Sequence, residues 1–138
     1  MFLKYRKSIY SQWGEEGILE KIIKDLELKN LEVCEFGASD GQTNSNTFYF
    51  AENFNAKTLL IESNQEYGNK LNKLSKKFSN ILFINKAVDL TENKLDNFLA
   101  ENKFKRDFDI LSIDIDSNDL EIWESIKYFK PKIVVIEI

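Results

Sequence analysis

Two stretches hold residues whose types and spacing could do chemistry. Val33-Cys34-Glu35-Phe36-Gly37-Ala38-Ser39-Asp40-Gly41 runs from an apolar strand pattern into a turn of small residues. Thr58-Leu59-Leu60-Ile61-Glu62 is the next apolar run, and it ends on an acid. A strand, a glycine turn, a helix and a second strand tipped by a carboxylate form a nucleoside-binding βαβ unit. Glycine lets backbone approach a ligand with no Cβ in the way. The terminal acid can accept hydrogen bonds from both hydroxyls of a ribose. The turn reads Gly37-x-x-x-Gly41, with Ser39 where a dinucleotide turn keeps its middle glycine. No G-x-x-x-x-G-K-[ST] occurs, which excludes a P-loop. A ligand with ribose and adenine but no phosphate fits better, and S-adenosylmethionine (SAM) is the common ligand of that kind. A nicotinamide oxidoreductase is the weaker alternative.

A third stretch carries the acids Asp114, Asp116 and Asp119. Asp114 and Asp116 share a side if the strand before them continues. Three such acids could hold Mg²⁺ or another hard cation, although Asp119 also suits the N-cap of the next helix. The loop is no EF-hand, because Asp119 and Ser125 stand where its glycine and closing glutamate belong. Glu137 reads equally as a catalytic acid or a chain-end charge. The chain has no histidine, so triads, zinc sites and general bases built on that residue are excluded. Acid–base chemistry falls to Asp, Glu, Lys, Tyr or water. Its single cysteine, Cys34, lies in a strand pattern and reads as a small buried hydrophobe.

The elements that must position these residues alternate. Helices are expected over 15–28, 46–53, 65–77, 92–101 and 119–129, and strands over 31–36, 57–62, 81–86, 108–114 and 132–138. Ile18, Leu19, Ile22, Ile23 and Leu26 form the inward face of the first helix, and Ser11 starts the turn ahead of it. Tyr67, Leu71, Leu74 and Phe78 are expected inward on the third helix, and Leu120, Ile122, Trp123 and Ile126 against the sheet on the fifth. Tyr49, Phe50 and Phe54 read as core, and core packing is also the first expectation for Trp13, with a lid as its alternative. Near-continuous apolar strands between helices predict an α/β fold with a parallel sheet and right-handed crossovers. Ligands then bind at the carboxyl ends of the strands, where strand order reverses. Those ends carry Glu35, Glu62, Asn85, Lys86, Asp114, Asp116 and Glu137.

The 138 residues predict one domain, with 1–30 as a helical extension and 31–138 as the αβ core. At 43% apolar residues the chain can build a core. The net charge of −4 is spread without a basic patch, so nucleic acid is not an expected partner. Apolar runs such as Ile133–Ile136 are far too short for a bilayer, no secretory signal is seen in 1–6, and a cytoplasmic location is expected.

Four blocks together resemble one family. They are Ser11-Gln12-x-Gly14-Glu15-x-Gly17, Glu35-Phe36-Gly37-Ala38-Ser39-Asp40-Gly41-x-Thr43-Asn44-Ser45-Asn46-Thr47, Leu111-Ser112-Ile113-Asp114-Ile115-Asp116-x-Asn118-Asp119 and Val134-Val135-Ile136-Glu137. Their order resembles the FkbM-type class I SAM-dependent methyltransferases over roughly residues 10–138. The resemblance implies a three-layer Rossmann-like sheet in the order 3-2-1-4-5 and O-methylation of a sugar or other small hydroxylated metabolite. It implies that Glu35, Gly37, Ala38 and Gly41 shape the pocket for methionine and ribose, and that Glu62 holds the ribose. Ser63 and Asn64 would flank the adenine, Lys86, Ala87 and Val88 would border it, and Gln12 and Asn46 would cover the methionine end. Asp114 would lie beneath the sulfonium or the acceptor hydroxyl, and Asp114 or Asp116 would take the acceptor's proton, directly or through a metal-bound water. Two features depart from the family: Ser117 replaces a usual glycine, and the sequence stops where relatives continue into strands six and seven. An open fifth strand predicts pairing with another chain, such as a second copy, a sequence truncated from a longer one, or a site completed from elsewhere. A SAM-binding module without transfer activity is the competing reading.

Overall fold

The computed structural model describes residues 1–115 and 118–136. After a 3₁₀ turn at Phe2–Tyr5, helix and strand alternate as α1 (Glu15–Asp25), β1 (Glu32–Phe36), α2 (Phe48–Asn53), β2 (Lys57–Ile61), α3 (Gln65–Lys77), β3 (Ile81–Ile84), α4 (Leu95–Glu101), β4 (Ile110–Ile113), α5 (Asp119–Ser125) and β5 (Ile133–Ile136). The five strands form one parallel sheet in the order β3-β2-β1-β4-β5, the α/β architecture and order expected. Strand order reverses between β1 and β4, so the ends of those strands bound the crevice where open α/β sheets bind ligands.

Strand pleating assigns the two faces. Cys34 and Phe36 of β1, Leu59 and Ile61 of β2, and Leu111 and Ile113 of β4 pack with Leu95, Phe98 and Leu99 of α4 and Ile122 of α5. On the opposite face, Val33 and Ile110 meet Leu19 and Ile23 of α1 and Phe50 of α2, while Leu60 meets Leu71 and Leu74 of α3. Tyr49, Phe50 and Phe54 pack there as a core group, as expected. Cys34 is fully buried, and burial pushes its thiol far above its ordinary value, so it is an inert core residue.

Several local expectations are corrected. α1 ends at Asp25, leaving Leu26 beyond it and exposed. α5 ends at Ser125, and of its expected inward residues Leu120 and Trp123 face solvent while Ile122 is buried. Seven residues bring only one apolar stripe to the sheet, too short for two successive turns to bury the same face. Asn118, not Asp119, is the N-cap of α5, and the Asp119 carboxylate accepts from the Ile115 N–H. β4 stops at Ile113, one residue short of the expected end at Asp114. Asp116, Ser117 and Glu137 lie outside the described residues.

Candidate functional site

Two clefts open at the carboxyl ends of the strands and share Asp114. The first, about 360 Å³, lies over β1, β2 and the segment after β3. Gly37, Glu62, Ser63, Lys86, Ala87, Val88 and Asp114, to which the family resemblance assigns cofactor roles, line it. The second, also about 360 Å³, lies over β4 and β5 beneath the segment ahead of α1, and Gln12, Trp13, Asn46 and Asp114 line it. Both volumes fall within the range of small-molecule sites.

Glu62 follows the last residue of β2 and is 9% exposed. The Ser39 N–H donates to its Oε2 at 2.8 Å and the Asn64 N–H to its Oε1 at 2.8 Å. Such charge-assisted bonds hold the carboxylate in one orientation and leave lone pairs for further donors. Ser39 takes a left-handed φ of 50° to make its bond, so the residue replacing the middle glycine of a dinucleotide turn becomes a support for Glu62. Asn64, expected beside an adenine, instead caps α3 by accepting from the Glu66 and Tyr67 N–H groups.

Tyr67 is the main correction in this cleft. Expected inward, it lies 37% exposed in the first turn of α3 and lines the cleft beside Ala87 and Val88. Its place three residues after the Asn64 cap was a usable signal, because the first turn of a helix points back toward the strand end that precedes it.

The two turn glycines have reasons inside the protein. A Cβ on Gly37, at φ 73°, would lie 1.5 Å from the Asp114 carbonyl oxygen. The Asp114 N–H also donates to the Phe36 carbonyl, so bare backbone at Gly37 lets the exits of β1 and β4 touch. At Gly41, φ 80°, a Cβ would meet methyl groups of Leu60, Leu71 and Leu74 at 2.8–2.9 Å. Gly41 therefore serves the packing of α3 on the sheet and does not line the cleft. Ala38 is likewise buried in that core, its N–H bonded to the Ile61 carbonyl.

Glu35 also points away from the first cleft. It precedes the last residue of β1, and the pleat turns its side chain to the α2 face. The hydroxyls of Ser45 and Thr47 donate to its Oε2 at 2.7 and 2.6 Å, and the Asn46 N–H donates to Oε1 at 3.1 Å. Burial pushes this carboxyl above its ordinary value, against the pull of those donors. Its role is to hold the loop before α2, which sets Asn46 in the second cleft with its Nδ2 donating to Ser112.

Trp13 is 60% exposed on the rim of the second cleft, so core packing does not describe it. Glu15, Asn44, Ile113, Val135 and Ile136 complete the lining of that cleft. The sequence marked Glu15 and Asn44 only as parts of blocks. Among the described residues no group of three metal-binding side chains is gathered, and Asp116 of the candidate set is not among them. No helix among them is long and apolar enough to cross a membrane.

No protein-family model and no curated protein matches the chain. Solved structures do match. A precorrin-6y C5,15-methyltransferase from Geobacter metallireducens GS-15 is 19% identical at a TM-score of 0.56, over 95% of this chain and 64% of that one. A coclaurine N-methyltransferase bound to N-methylheliamine and SAH is 13% identical at a TM-score of 0.44, over 78% of this chain and 30% of that one. The chain thus spans less than two thirds of the length of either structure. At such identity the likeness is one of fold, and the fold of this chain is the Rossmann-like α/β fold seen in the precorrin methyltransferase.

Proposed function

We propose that the chain binds SAM in the first cleft and promotes methyl transfer to a hydroxyl of a small metabolite, such as a sugar, in the second. The observation carrying this reading is Glu62, a nearly buried carboxylate held by two backbone N–H groups on the wall of the cleft at the strand-order reversal. Its remaining lone pairs suit the two hydroxyls of a ribose. Tyr67 offers a ring face to the base, and Ala87 and Val88 an apolar edge. Gly37 brings Asp114 to the boundary of both clefts. Bound there, the sulfonium supplies an electrophilic methyl group. The protein then has to align the acceptor oxygen with that carbon and exclude water. In this reading Asp114, on the boundary of both clefts, takes the proton that the acceptor hydroxyl releases as its oxygen–carbon bond forms. Gln12 and Asn46, expected over the methionine end of SAM, line the second cleft with Asn44, and in this reading they serve the acceptor, since each can both donate to and accept from hydroxyl groups.

Isothermal titration with SAM and with its demethylated product tests the premise. Glu62→Ala is expected to weaken both by roughly thirtyfold or more, the effect of about 2 kcal/mol in lost charge-assisted bonds. Unchanged affinity would falsify the site. A SAM-binding module without transfer is the second reading. Tight binding with no demethylated product across a panel of sugars and polyols selects that reading.

A further inference from the structure

Glu16 is a fully buried carboxylate outside the proposed chemistry. Its Oε1 accepts from the backbone N–H groups of Ile9, Tyr10 and Ser11, the latter two at 2.6 and 3.1 Å. Among the described residues its Oε2 has no hydrogen-bond partner. Three consecutive amides turned onto one oxygen fold the segment ahead of α1 back against that helix. Other contacts close the same turn. The Gly14 N–H donates to Ser11 Oγ at 3.2 Å, Arg6 Nε donates to the Trp13 carbonyl at 2.7 Å, and the Lys7 N–H donates to the Gly14 carbonyl. A Cβ on Gly17 would lie 2.2 Å from the Tyr5 carbonyl oxygen, so the segment crosses α1 in direct backbone contact. Tyr10 ties it to α2 by a 2.6 Å bond to Glu52 and an edge contact with Phe48. The residues left at the outer bend, Gln12 and Trp13, line the second cleft.

We propose that Glu16 is a positioning residue that builds the second cleft, its carboxylate holding the 9–14 segment so that Gln12 and Trp13 form the outer wall. The use of that wall in binding an acceptor rests on the function proposed above; its geometry does not. Ser11, Gly14, Glu16 and Gly17 then act together: they make a clamped turn, and Gln12 and Trp13 are what the turn presents.

The test compares the wild-type chain with Glu16→Gln, both labelled with 5-fluorotryptophan. The chain holds two tryptophans, and Trp123 on α5 reports on the rest of the fold. In the variant the ¹⁹F resonance of Trp13 is expected to move toward that of free fluorotryptophan while the Trp123 resonance stays. Exchange at the amides of Ile9, Tyr10 and Ser11 should accelerate at least roughly tenfold, since each loses a charge-assisted acceptor. SAM affinity should stay within about twofold of wild type, because the first cleft shares no contact with Glu16. A Trp13 resonance that stays in place over protected amides overturns the proposal. So do resonances that move together, because Glu16 would then support the whole fold instead of one segment. Failure of the wild-type chain to bind SAM would remove the proposed function and leave the ¹⁹F and exchange results to decide the role of Glu16.

Discussion

Gly41→Ala is expected to cost stability and spare ligand affinity, the reverse of what a glycine kept open for a ligand would do. The position holds φ at 80°, where a Cβ costs about 1–2 kcal/mol. The new methyl would sit 2.8 Å from Leu71 and Leu74 Cδ2 and 2.9 Å from Leu60 Cδ1. These are ends of flexible side chains, so relief is available, and overpacking of this kind costs about 1–3 kcal/mol. Together the effects predict a loss of about 2–5 kcal/mol, or a urea midpoint lower by about 1–2 M. Calorimetric titration below that midpoint should return a SAM affinity close to wild type. Gly37→Ala is the contrast. Its Cβ meets the Asp114 carbonyl oxygen at 1.5 Å, and no rotamer relieves a clash with backbone. That variant should lose more than about 4 kcal/mol and part the exits of β1 and β4. A Gly41→Ala protein with an unchanged urea midpoint and tenfold weaker SAM binding would refute the packing argument.

Tyr67→Ala should weaken SAM by the worth of one base–aromatic stack, about 1–3 kcal/mol, with a stability change within about 0.5 kcal/mol because the ring is half-exposed; equal titration curves for variant and wild type would remove Tyr67 from the site. Glu35→Gln tests the buried carboxyl through pH. Its folded-state value is raised above 4.5, so the native chain holds this proton more tightly than the unfolded chain. Stability from this group is therefore greatest below the ordinary value and falls as pH rises through the raised one. The variant lacks that slope, so its urea midpoint should gain on wild type as pH increases from 4 toward neutrality, and a difference constant across that range would count against a raised value.

Local periodicity carried much of the fold. The helix expected over 65–77 forms at Gln65–Lys77, and the apolar runs became five parallel strands. Expected elements were too long where their ends depend on neighbours. β3 stops at Ile84, and the next side chain, Asn85, donates to the carbonyls of Glu62 and Asn64. Glu62, Lys86 and Asp114 were legible as strand-end residues because each follows an apolar run, and the carboxyl ends of parallel strands share one rim; Ser63 and Ala87, which also line the cleft, came from the family resemblance alone.

By itself, the sequence determined alternating strands and helices, the acids and glycines near strand ends, and the absence of histidine. Tertiary structure alone decided which of those residues the rim uses. Glu35 and Glu62 look alike along the chain, yet one pleat position turns Glu35 onto the Ser45–Thr47 hydroxyls while Glu62 clears its strand and faces the cleft. The bare backbone at Gly37 and Gly41 answers Asp114 and α3, both distant in sequence. Periodicity reports how one segment divides between apolar and polar sides. It carries no information on which distant segment arrives at each side, and at this rim that arrival separates a cleft wall from a buried support.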